Sequence, residues 1–483
     1  MRLAILGGGG FRVPLVFEAV ATGATGLTVD ELALHDVDEA RLRVIERVVD
    51  ELGAELVATG RASAPLPRVI ATTDLREALT GADFVFSAVR VGGAQGRTVD
   101  ERVALDLGLL GQETVGPGGL AYALRTITEA LAIARTIAEV APDAWTITFT
   151  NPAGIVTEAM REVLGDRVVG ICDTPIGLVR RAGRLLGIDP TAIDEAGEAA
   201  VGIDYVGVNH LGWLRGLTVD GEDRLREILD DDAALAAIEE ARVVGPDVVR
   251  AMAALPNEYL YYYLRTDEAI ARIAGAGRTR GEFLLAQQGA FYEAADAADS
   301  ALAVWRATLH EREATYMAEA RDEERQEEDI AGGGYQEVAL RLMTAIATGR
   351  PARMILDVGN APAASAGAPE DRAVPELPAD MVLELPCRVD ADGVHPERVG
   401  PLALEQLGMM AALRASEREI LAAATTGSRR RARHGFAIHP LVRSASSGAA
   451  LLDGYEAGHP EIAALLGGTA EDVPGDAEGG SAD

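Results

Sequence analysis

A short apolar segment that runs into four consecutive glycines constrains the fold of this chain most strongly. Residues 2–6 have the composition of a buried strand, and the residues after Pro14 have a helical pattern. Glycine has no Cβ, so a strand–glycine–helix turn lets the backbone approach a pyrophosphate at a helix N-terminus. The sequence therefore predicts a dinucleotide-binding turn that consists of Gly7, Gly8, Gly9, Gly10 and Phe11.

An acidic residue at the end of the second predicted strand supports this interpretation. Asp36 lies 26 residues after Gly10, where a carboxylate can bind the ribose hydroxyls of a dinucleotide and favours NAD over NADP. The turn departs from the usual G-x-G-x-x-G pattern, because Arg12 occupies the position of the last glycine. We therefore expect the first strand and the first helix to pack differently there.

Strands alternate with amphipathic helical patterns over about the first 180 residues, which predicts a doubly wound parallel sheet of the Rossmann type. We assign residues 1–190 to this NAD-binding domain. Longer helices predicted at 233–253 and 280–325, with an extended segment at 381–396, indicate an α+β domain. That second domain, at 191–466, is expected to provide catalytic and oligomerisation surfaces.

The last residues, 467–483, are acidic and rich in glycine, so they are expected to be disordered. The whole chain carries a formal charge of -32, which excludes nucleic acid and anionic membrane surfaces as probable partners. No apolar run is long enough to cross a membrane and the N-terminus does not resemble a signal peptide, so we expect a cytoplasmic protein. The chain contains no lysine, and any anion site must therefore use arginine.

Two residues with metal-binding side chains, Cys172 and His210, lie 38 positions apart. A thiolate and an imidazole suit a borderline divalent ion, but a single cysteine is more often a packed core residue. A disulfide to Cys387 is not expected in a reducing compartment. The cluster of Tyr259, Tyr261, Tyr262 and Tyr263 can be aromatic packing or can contain a base whose phenolate is favoured by nearby positive charge.

Taken together, several segments resemble the successive signature blocks of glycoside hydrolase family 4, and the resemblance extends to about residue 445. These segments are "ILGGGGFRVP", "VRVGGAQGRTVDERVALDLGLLGQETVGPGGLAYALRTI", "FTNPAGIVTEAM", "VVGICDTPIGL", "VGVNHLGWL" and "YLYYYL". The blocks "GGAQGRTVDER" and "GQETVGPGG" and the segment from "PC" to "GVHP" are most similar to those of the 6-phospho-β-glucosidases.

The resemblance implies a Rossmann-type domain followed by a lactate/malate dehydrogenase-like α+β C-terminal domain, in a homodimer or homotetramer. It also implies hydrolysis of 6-phospho-β-glucosides, small phosphorylated disaccharides among them, with NAD and Mn²⁺ or another divalent metal. In this chemistry C3 of the sugar is oxidised, C2 is deprotonated, the C1 substituent is eliminated, and C3 is reduced again after water adds. The reaction differs from hydrolysis by two carboxylates.

The resemblance assigns a role to each candidate residue. Cys172 and His210 are the metal ligands, and Tyr259 is the base that deprotonates C2, with Tyr261 as the second choice. Glu113 is expected to raise the basicity of the tyrosine. The substrate-contacting positions are Arg97, Asn151 and Arg280.

Asp173 is where α-specific members often carry a leaving-group acid and many β-specific members carry asparagine. It either protonates the leaving oxygen or only orients Cys172 and the metal, and the anomeric preference stays open. Two alternative functions remain: a family 4 glycosidase for an α-linked or unphosphorylated sugar, and an NAD-dependent 2-hydroxyacid dehydrogenase.

Overall fold

The structure is a computed structural model that describes residues 1–23, 26–63, 65–194, 201–314, 334–365 and 367–467. The predicted disordered tail, apart from Gly467, lies outside the described residues, as does the last part of the helix predicted at 280–325. None of the helices in the described ranges is long and apolar enough to span a bilayer.

The N-terminal half contains six parallel strands in the order β3-β2-β1-β4-β5-β6, which confirms the predicted Rossmann-type sheet. The strands are β1 (Arg2–Leu6), β2 (Glu31–His35), β3 (Arg68–Thr72), β4 (Phe84–Ser87), β5 (Trp145–Thr148) and β6 (Val168–Gly170). The helices are α1 (Val13–Ala21), α2 (Glu39–Ala58), α3 (Leu75–Leu79), α4 (Gly93–Asp106), α5 (Pro117–Val140), α6 (Ala153–Leu164), α7 (Thr174–Leu185) and α8 (Pro190–Asp194).

The central strands of this half are covered by helices on both faces. Leu3, Ala4, Ile5 and Leu6 of β1 are fully buried, as expected where successive side chains of a parallel strand point into two packed layers. The glycine turn, Asp36, Asn151 and Cys172 follow β1, β2, β5 and β6, so the parallel sheet places them along one edge.

The second half extends the same sheet with antiparallel strands, in the order β6-β11-β12-β7-β8-β10, with β9 on β8 and β13 on β12. The strands are β7 (Gly202–Val208), β8 (Leu211–Val219), β9 (Glu222–Asp223), β10 (Leu255–Pro256), β11 (Ala352–Gly359), β12 (Val382–Asp390) and β13 (Gly393–Pro396). This arrangement agrees with the extended segment predicted at 381–396. The domain boundary near residue 190 stays a prediction.

The helices described in the second half range from five residues to 23. They are α9 (Leu225–Leu229), α10 (Asp232–Ala237), α11 (Glu239–Val244), α12 (Pro246–Met252), α13 (Leu260–Leu264), α14 (Thr266–Gly275), α15 (Arg280–Ala297), α16 (Ala301–Ala314), α17 (Tyr335–Thr348), α18 (Leu404–Thr426), α19 (Arg429–Ile438), α20 (Ala445–Gly458) and α21 (Pro460–Gly467).

Two helical predictions differ from the structure in length. The segment 233–253 contains α10, α11 and α12 rather than one helix, because Ile238 is extended and Gly245, at φ 106°, precedes Pro246. The segment predicted from 280 breaks between α15 and α16. There the carboxylate of Glu51 accepts hydrogen bonds from the backbone N–H groups of Ala301 and Leu302, at 3.1 and 3.0 Å, and caps a new helix.

A pair of buried carboxylates joins the two halves of the sheet. Asp357 of β11 lies opposite Gly170 of β6 on one side and Glu384 of β12 on the other. The phenol of Tyr205 donates a 2.6 Å hydrogen bond to Glu384, whereas neither carboxylate oxygen of Asp357 has a hydrogen-bond partner among the described residues. Burial raises the pKa of Asp357 to about 7 and outweighs the opposing effect of Arg414.

This raised pKa predicts a pH-dependent stability that Asp357→Asn should remove. The unfolded carboxyl ionises near its ordinary pKa, so the stability that Asp357 contributes is complete below that value and is lost as the pH rises towards 7. Between pH 5 and pH 8 we expect the wild type to lose on the order of 2 kcal/mol more unfolding free energy than the variant. Denaturant titration at both pH values measures this, and an identical pH dependence of the two proteins would contradict it.

Candidate active site

The glycine turn lies between β1 and α1 and approaches the neighbouring strands closely. Gly7 has φ 87°, and a Cβ at this position would come within 2.7 Å of the carbonyl oxygen of Ala88. The backbone N–H groups of Gly7 and Gly8 both donate to the carbonyl of His35, at 2.9 and 2.7 Å. These contacts explain why Gly7 and Gly8 cannot be replaced by residues with a side chain without a shift of the neighbouring backbone.

The carboxylate of Asp36 is held at the end of β2 by two backbone groups. One oxygen accepts a 2.9 Å hydrogen bond from the N–H of Gly9, and the other accepts a 3.0 Å hydrogen bond from the N–H of Asp38. The predicted glycine turn and acidic residue are therefore in direct contact. A close-approaching glycine turn with an oriented carboxylate beside it fits the binding of a dinucleotide.

Helices α15 and α16 cover the glycine turn. The phenol of Tyr292 donates to the carbonyl of Gly9 at 2.6 Å, and the indole N–H of Trp305 donates to the carbonyl of Phe11 at 2.7 Å. The ring of Phe11 packs edge-on against Phe291, at a centroid distance of 4.9 Å. Because these residues are almost 300 positions from the turn, the local sequence patterns did not reveal their contribution.

Glu113 lies between two guanidinium groups at the other side of the site. Its carboxylate forms ion pairs with Arg90 and Arg97, the latter at 2.5 Å. Burial alone would raise the pKa of Glu113, but Arg90 and Arg97 outweigh burial and lower this pKa to about 2. The side chain is therefore a fixed negative charge at neutral pH and does not exchange protons there.

A second carboxylate, that of Glu101, connects α4 to the start of α15. It accepts hydrogen bonds from Nε of Arg97 at 2.7 Å and from the backbone N–H of Gly281 at 2.7 Å. Arg280, the residue before Gly281, is thereby brought to the same side of the site as Arg97. Two of the three predicted substrate-contacting residues are thus close together.

His210 and Tyr259 are stacked against each other. His210 lies in the two-residue turn between β7 and β8 with φ 66°, and Tyr259 immediately precedes α13. Their ring centroids are 3.9 Å apart, with an angle of 22° between the planes. Tyr261 and Tyr262 are buried and pack against each other, so the contact with His210 favours Tyr259 over Tyr261 as the reactive tyrosine.

The imidazole of His210 has the properties of a metal ligand. Burial lowers the pKa of His210 to about 4, although the negative charge of Glu113 opposes this, so the ring is neutral near pH 7 and can donate a lone pair. Its Nδ1 is buried and has no hydrogen-bond partner in the described part of the chain. An unsatisfied buried nitrogen of this kind is consistent with an ion as its missing partner.

Cys172 follows β6 and is buried, with its sulfur 3.2 Å from the hydroxyl of Thr174. Burial, together with the carboxylates of Glu384 and Asp173, raises the pKa of the thiol well above its usual value. No hydrogen bond connects Cys172 to His210 within the described ranges. No group of three or more His, Cys, Asp or Glu side chains in these ranges could hold a metal, and the pairing of Cys172 with His210 as metal ligands stays a prediction.

Asn151 and Asp173 follow β5 and β6, the two neighbouring parallel strands. Asn151 is half-buried and precedes Pro152 in a cis peptide. The amide oxygen of Asn209 accepts a 3.2 Å hydrogen bond from the N–H of Ala153, so the turn that carries His210 lies against the segment that carries Asn151. Asp173 is the N-cap residue of α7, but its side chain forms no capping hydrogen bond.

Arg12, Arg90 and Arg312 belong to the site but received no role from the sequence. The guanidinium of Arg312 lies 5.4 Å from the ring centroid of Phe11, and Arg280 donates a 3.1 Å hydrogen bond to the carbonyl of Arg312. Arg90 could have been found from its position just after β4, since the residues at the carboxyl ends of parallel strands face the site. Arg312 carried no such signal, because its helix is distant in sequence.

The fold is that of known phosphoglucosidases. A 6-phospho-β-glucosidase from Thermotoga maritima, solved with NAD and glucose-6-phosphate, aligns with a TM-score of 0.77 and 24% identity, covering 96% of this chain and 99% of that one. A 6-phospho-α-glucosidase from gut microorganisms, solved with NAD and Mn²⁺, aligns with a TM-score of 0.74 and 25% identity, covering 94% and 97%.

Several relatives are also similar over most of the chain. A probable 6-phospho-β-glucosidase of Bacillus subtilis is 29% identical, covering 94% of this chain and 95% of its own length. The 6-phospho-β-glucosidase of Escherichia coli is 28% identical over 92% of both chains, and a maltose-6'-phosphate glucosidase of Bacillus subtilis is 27% identical over 84% of both.

Two family models cover most of the sequence. The model of the family 4 glycosyl hydrolases matches residues 2–188, and the model of their C-terminal domain matches residues 205–442. The resemblance that the sequence blocks indicated is therefore confirmed: this chain belongs to the family 4 glycosyl hydrolases.

Proposed function

We propose that this chain is an NAD- and divalent-metal-dependent 6-phospho-β-glucosidase of the cytoplasm. The observation that carries the proposal is the stacking of Tyr259 on His210 at 3.9 Å, which places a phenol beside the imidazole that would hold the metal. The first two relatives reported above are a probable 6-phospho-β-glucosidase and a 6-phospho-β-glucosidase, and a solved relative contains NAD, manganese and glucose-6-phosphate. Family membership favours a glycosidase over a 2-hydroxyacid dehydrogenase.

The glycine turn and Asp36 would hold NAD, which when bound supplies the reversible oxidation of C3 of the sugar. Cys172 and His210 would hold the divalent ion, which when bound supplies positive charge for the sugar oxygens at C2 and C3. In this scheme Tyr259 takes the proton from C2. A phenol acts as a base near neutral pH only where positive charge favours the phenolate, and the imidazole beside Tyr259 is where that charge would be held.

The remaining residues hold and orient the substrate. Glu113 is a fixed anion whose charge acts on His210, and we infer that it raises the basicity of Tyr259. Arg97, Asn151 and Arg280 would contact the sugar and its 6-phosphate, because a guanidinium fork forms charge-assisted hydrogen bonds with phosphate. We also propose a homodimer or homotetramer.

An α-specific enzyme is the second candidate, and one observation favours it. Asp173 forms no capping hydrogen bond with α7, so its carboxyl group is available to a leaving oxygen. Relatives with α activity also align with this chain, among them a 6-phospho-α-glucosidase of Leptotrichia buccalis that is 26% identical over 93% of this chain and 96% of its own length.

The substrate class is tested with four aryl glucosides, α and β, each with and without a 6-phosphate. We expect aryl alcohol release from the 6-phospho-β-glucoside, and loss of that release when either NAD or Mn²⁺ is omitted, because both supply chemistry that the protein side chains lack. Equal or faster release from the unphosphorylated glucoside would contradict the substrate class, and release without NAD would contradict the mechanism.

The metal site is tested by comparing the only two cysteines in the chain. Cys172→Ala should weaken Mn²⁺ binding by at least about tenfold, since losing even an outer partner of a metal ligand has effects of this order. Cys387→Ala is the matched control, because Cys387 is buried in β12, where its thiol donates a 3.3 Å hydrogen bond to the carbonyl of Leu385. Calorimetric titration with Mn²⁺ measures both, and equal affinities of the two variants would rule out Cys172 as a ligand.

The role of Asp173 is tested with Asp173→Asn on two leaving groups. If the carboxyl group protonates the leaving oxygen, the variant should hydrolyse a 6-phosphorylated disaccharide on the order of 100-fold more slowly. Hydrolysis of the nitrophenyl 6-phosphoglucoside, whose leaving group needs no acid, should change little. A similar loss of kcat on both substrates would show instead that Asp173 only orients Cys172.

A further inference from the structure

Two arginines at the glycine turn have no role in the proposed reaction. Arg12 is the N-cap residue of α1 and directly follows Phe11, and its side chain forms no capping hydrogen bond. Arg312 reaches the same turn from α16, with its guanidinium 5.4 Å from the ring centroid of Phe11. The carbonyl of Phe11 is fixed by Trp305 at 2.7 Å, so α16 is anchored to the turn from which Arg12 projects.

These side chains add to a concentration of positive charge. Burial lowers the pKa of Arg312, and the guanidinium groups of Arg12, Arg90, Arg280 and Arg97 lower it further, to about 9. Arg90 and Arg97 both form ion pairs with Glu113. Repulsion between neighbouring guanidinium groups in a partly buried site costs free energy, and a bound anion offsets this cost. The cluster therefore has the positive charge of an anion-binding site, although the whole chain has a net charge of -32.

We propose that the guanidinium groups of Arg12 and Arg312 bind phosphoryl oxygens at the glycine turn, and that these oxygens belong to the pyrophosphate of the dinucleotide. The proposal rests on the use of NAD in the proposed function and adds two side chains to its binding site. In the usual turn, glycines and backbone N–H groups alone face the pyrophosphate. Here Arg12 occupies the position of the last glycine, and Arg312 lies over the ring of Phe11, the residue before it.

The position of the two arginines favours the pyrophosphate over a sugar phosphate. Arg12 directly follows the turn that runs from Gly7 to Phe11, where this fold places a pyrophosphate. Arg97 lies on the side of Glu113 and Glu101, which hold it at two of its nitrogens. A diphosphate carries two negative charges on neighbouring groups, and two guanidinium forks match that spacing of oxygens better than one.

Calorimetric titration with three probes distinguishes the two phosphate sources. ADP-ribose contains the pyrophosphate without the nicotinamide, adenosine contains neither phosphate nor nicotinamide, and glucose 6-phosphate represents the sugar. For Arg12→Gln and Arg312→Gln we expect the Kd for ADP-ribose to rise on the order of tenfold each, as for the loss of a charged hydrogen bond. The Kd values for adenosine and glucose 6-phosphate should stay within about twofold of wild type, because neither probe contains the pyrophosphate whose hydrogen bonds are lost.

Two further variants exclude a general effect of lost arginine. Arg306→Gln removes another guanidinium of α16, one that pairs with Glu55 on the surface, and should leave all three affinities unchanged. Arg12→Lys keeps the charge and should recover part of the affinity for ADP-ribose. The proposal is overturned if glucose 6-phosphate binding weakens while ADP-ribose binding does not, or if adenosine weakens as much as ADP-ribose. Because only binding is measured, a failure of the glycosidase assay would not affect this result.

Discussion

The ion pairs of Glu113 with Arg90 and Arg97 are the interaction on which the rest of the site depends. A buried carboxylate without partners would be protonated, and buried guanidinium groups without partners would be costly to desolvate. Together they keep their charges, and the pKa of Glu113 falls to about 2. Arg97 also donates a hydrogen bond to Glu101, and the carboxylate of Glu101 accepts another from the N–H of Gly281 at the start of α15. The ion pairs of Glu113 are therefore connected to the position of α15, a helix that also covers the glycine turn.

The topology of the sheet explains why residues distant in sequence meet at this place. The strands β1, β2, β4, β5 and β6 are parallel, and each ends at the edge where the glycine turn, Asp36, Arg90, Asn151 and Cys172 follow. The antiparallel strands continue the same sheet and contribute the turn with His210. The second half of the chain therefore completes a site that the parallel half begins, which agrees with a family model that matches in two parts.

Local patterns were sufficient to predict the parallel sheet, the glycine turn and the position of Asp36 at the end of the second strand, because these depend on residues within one strand–helix–strand unit. They did not reveal the break at Ile238, since apolar spacing continues across it. The Gly245–Pro246 pair was a local signal for the second break, which the prediction of one helix at 233–253 overlooked. Contacts formed only by tertiary packing were also missed: Tyr292 and Trp305 on the glycine turn, Arg312 beside Phe11, and the buried pair Asp357 and Glu384. The proposed roles of the site residues came from the family resemblance and remain predictions.

The central claim is that Tyr259 removes the proton from C2 before the bond to the leaving group is replaced by water. The most direct measurement is mass spectrometry of the glucose 6-phosphate released from a 6-phospho-β-glucoside in D₂O, with NAD and Mn²⁺ present. The account predicts one solvent deuterium at C2 in every turnover of the wild type, and loss of both turnover and exchange in Tyr259→Phe. Product that retains the original hydrogen at C2 would contradict elimination and with it the mechanism proposed for this site.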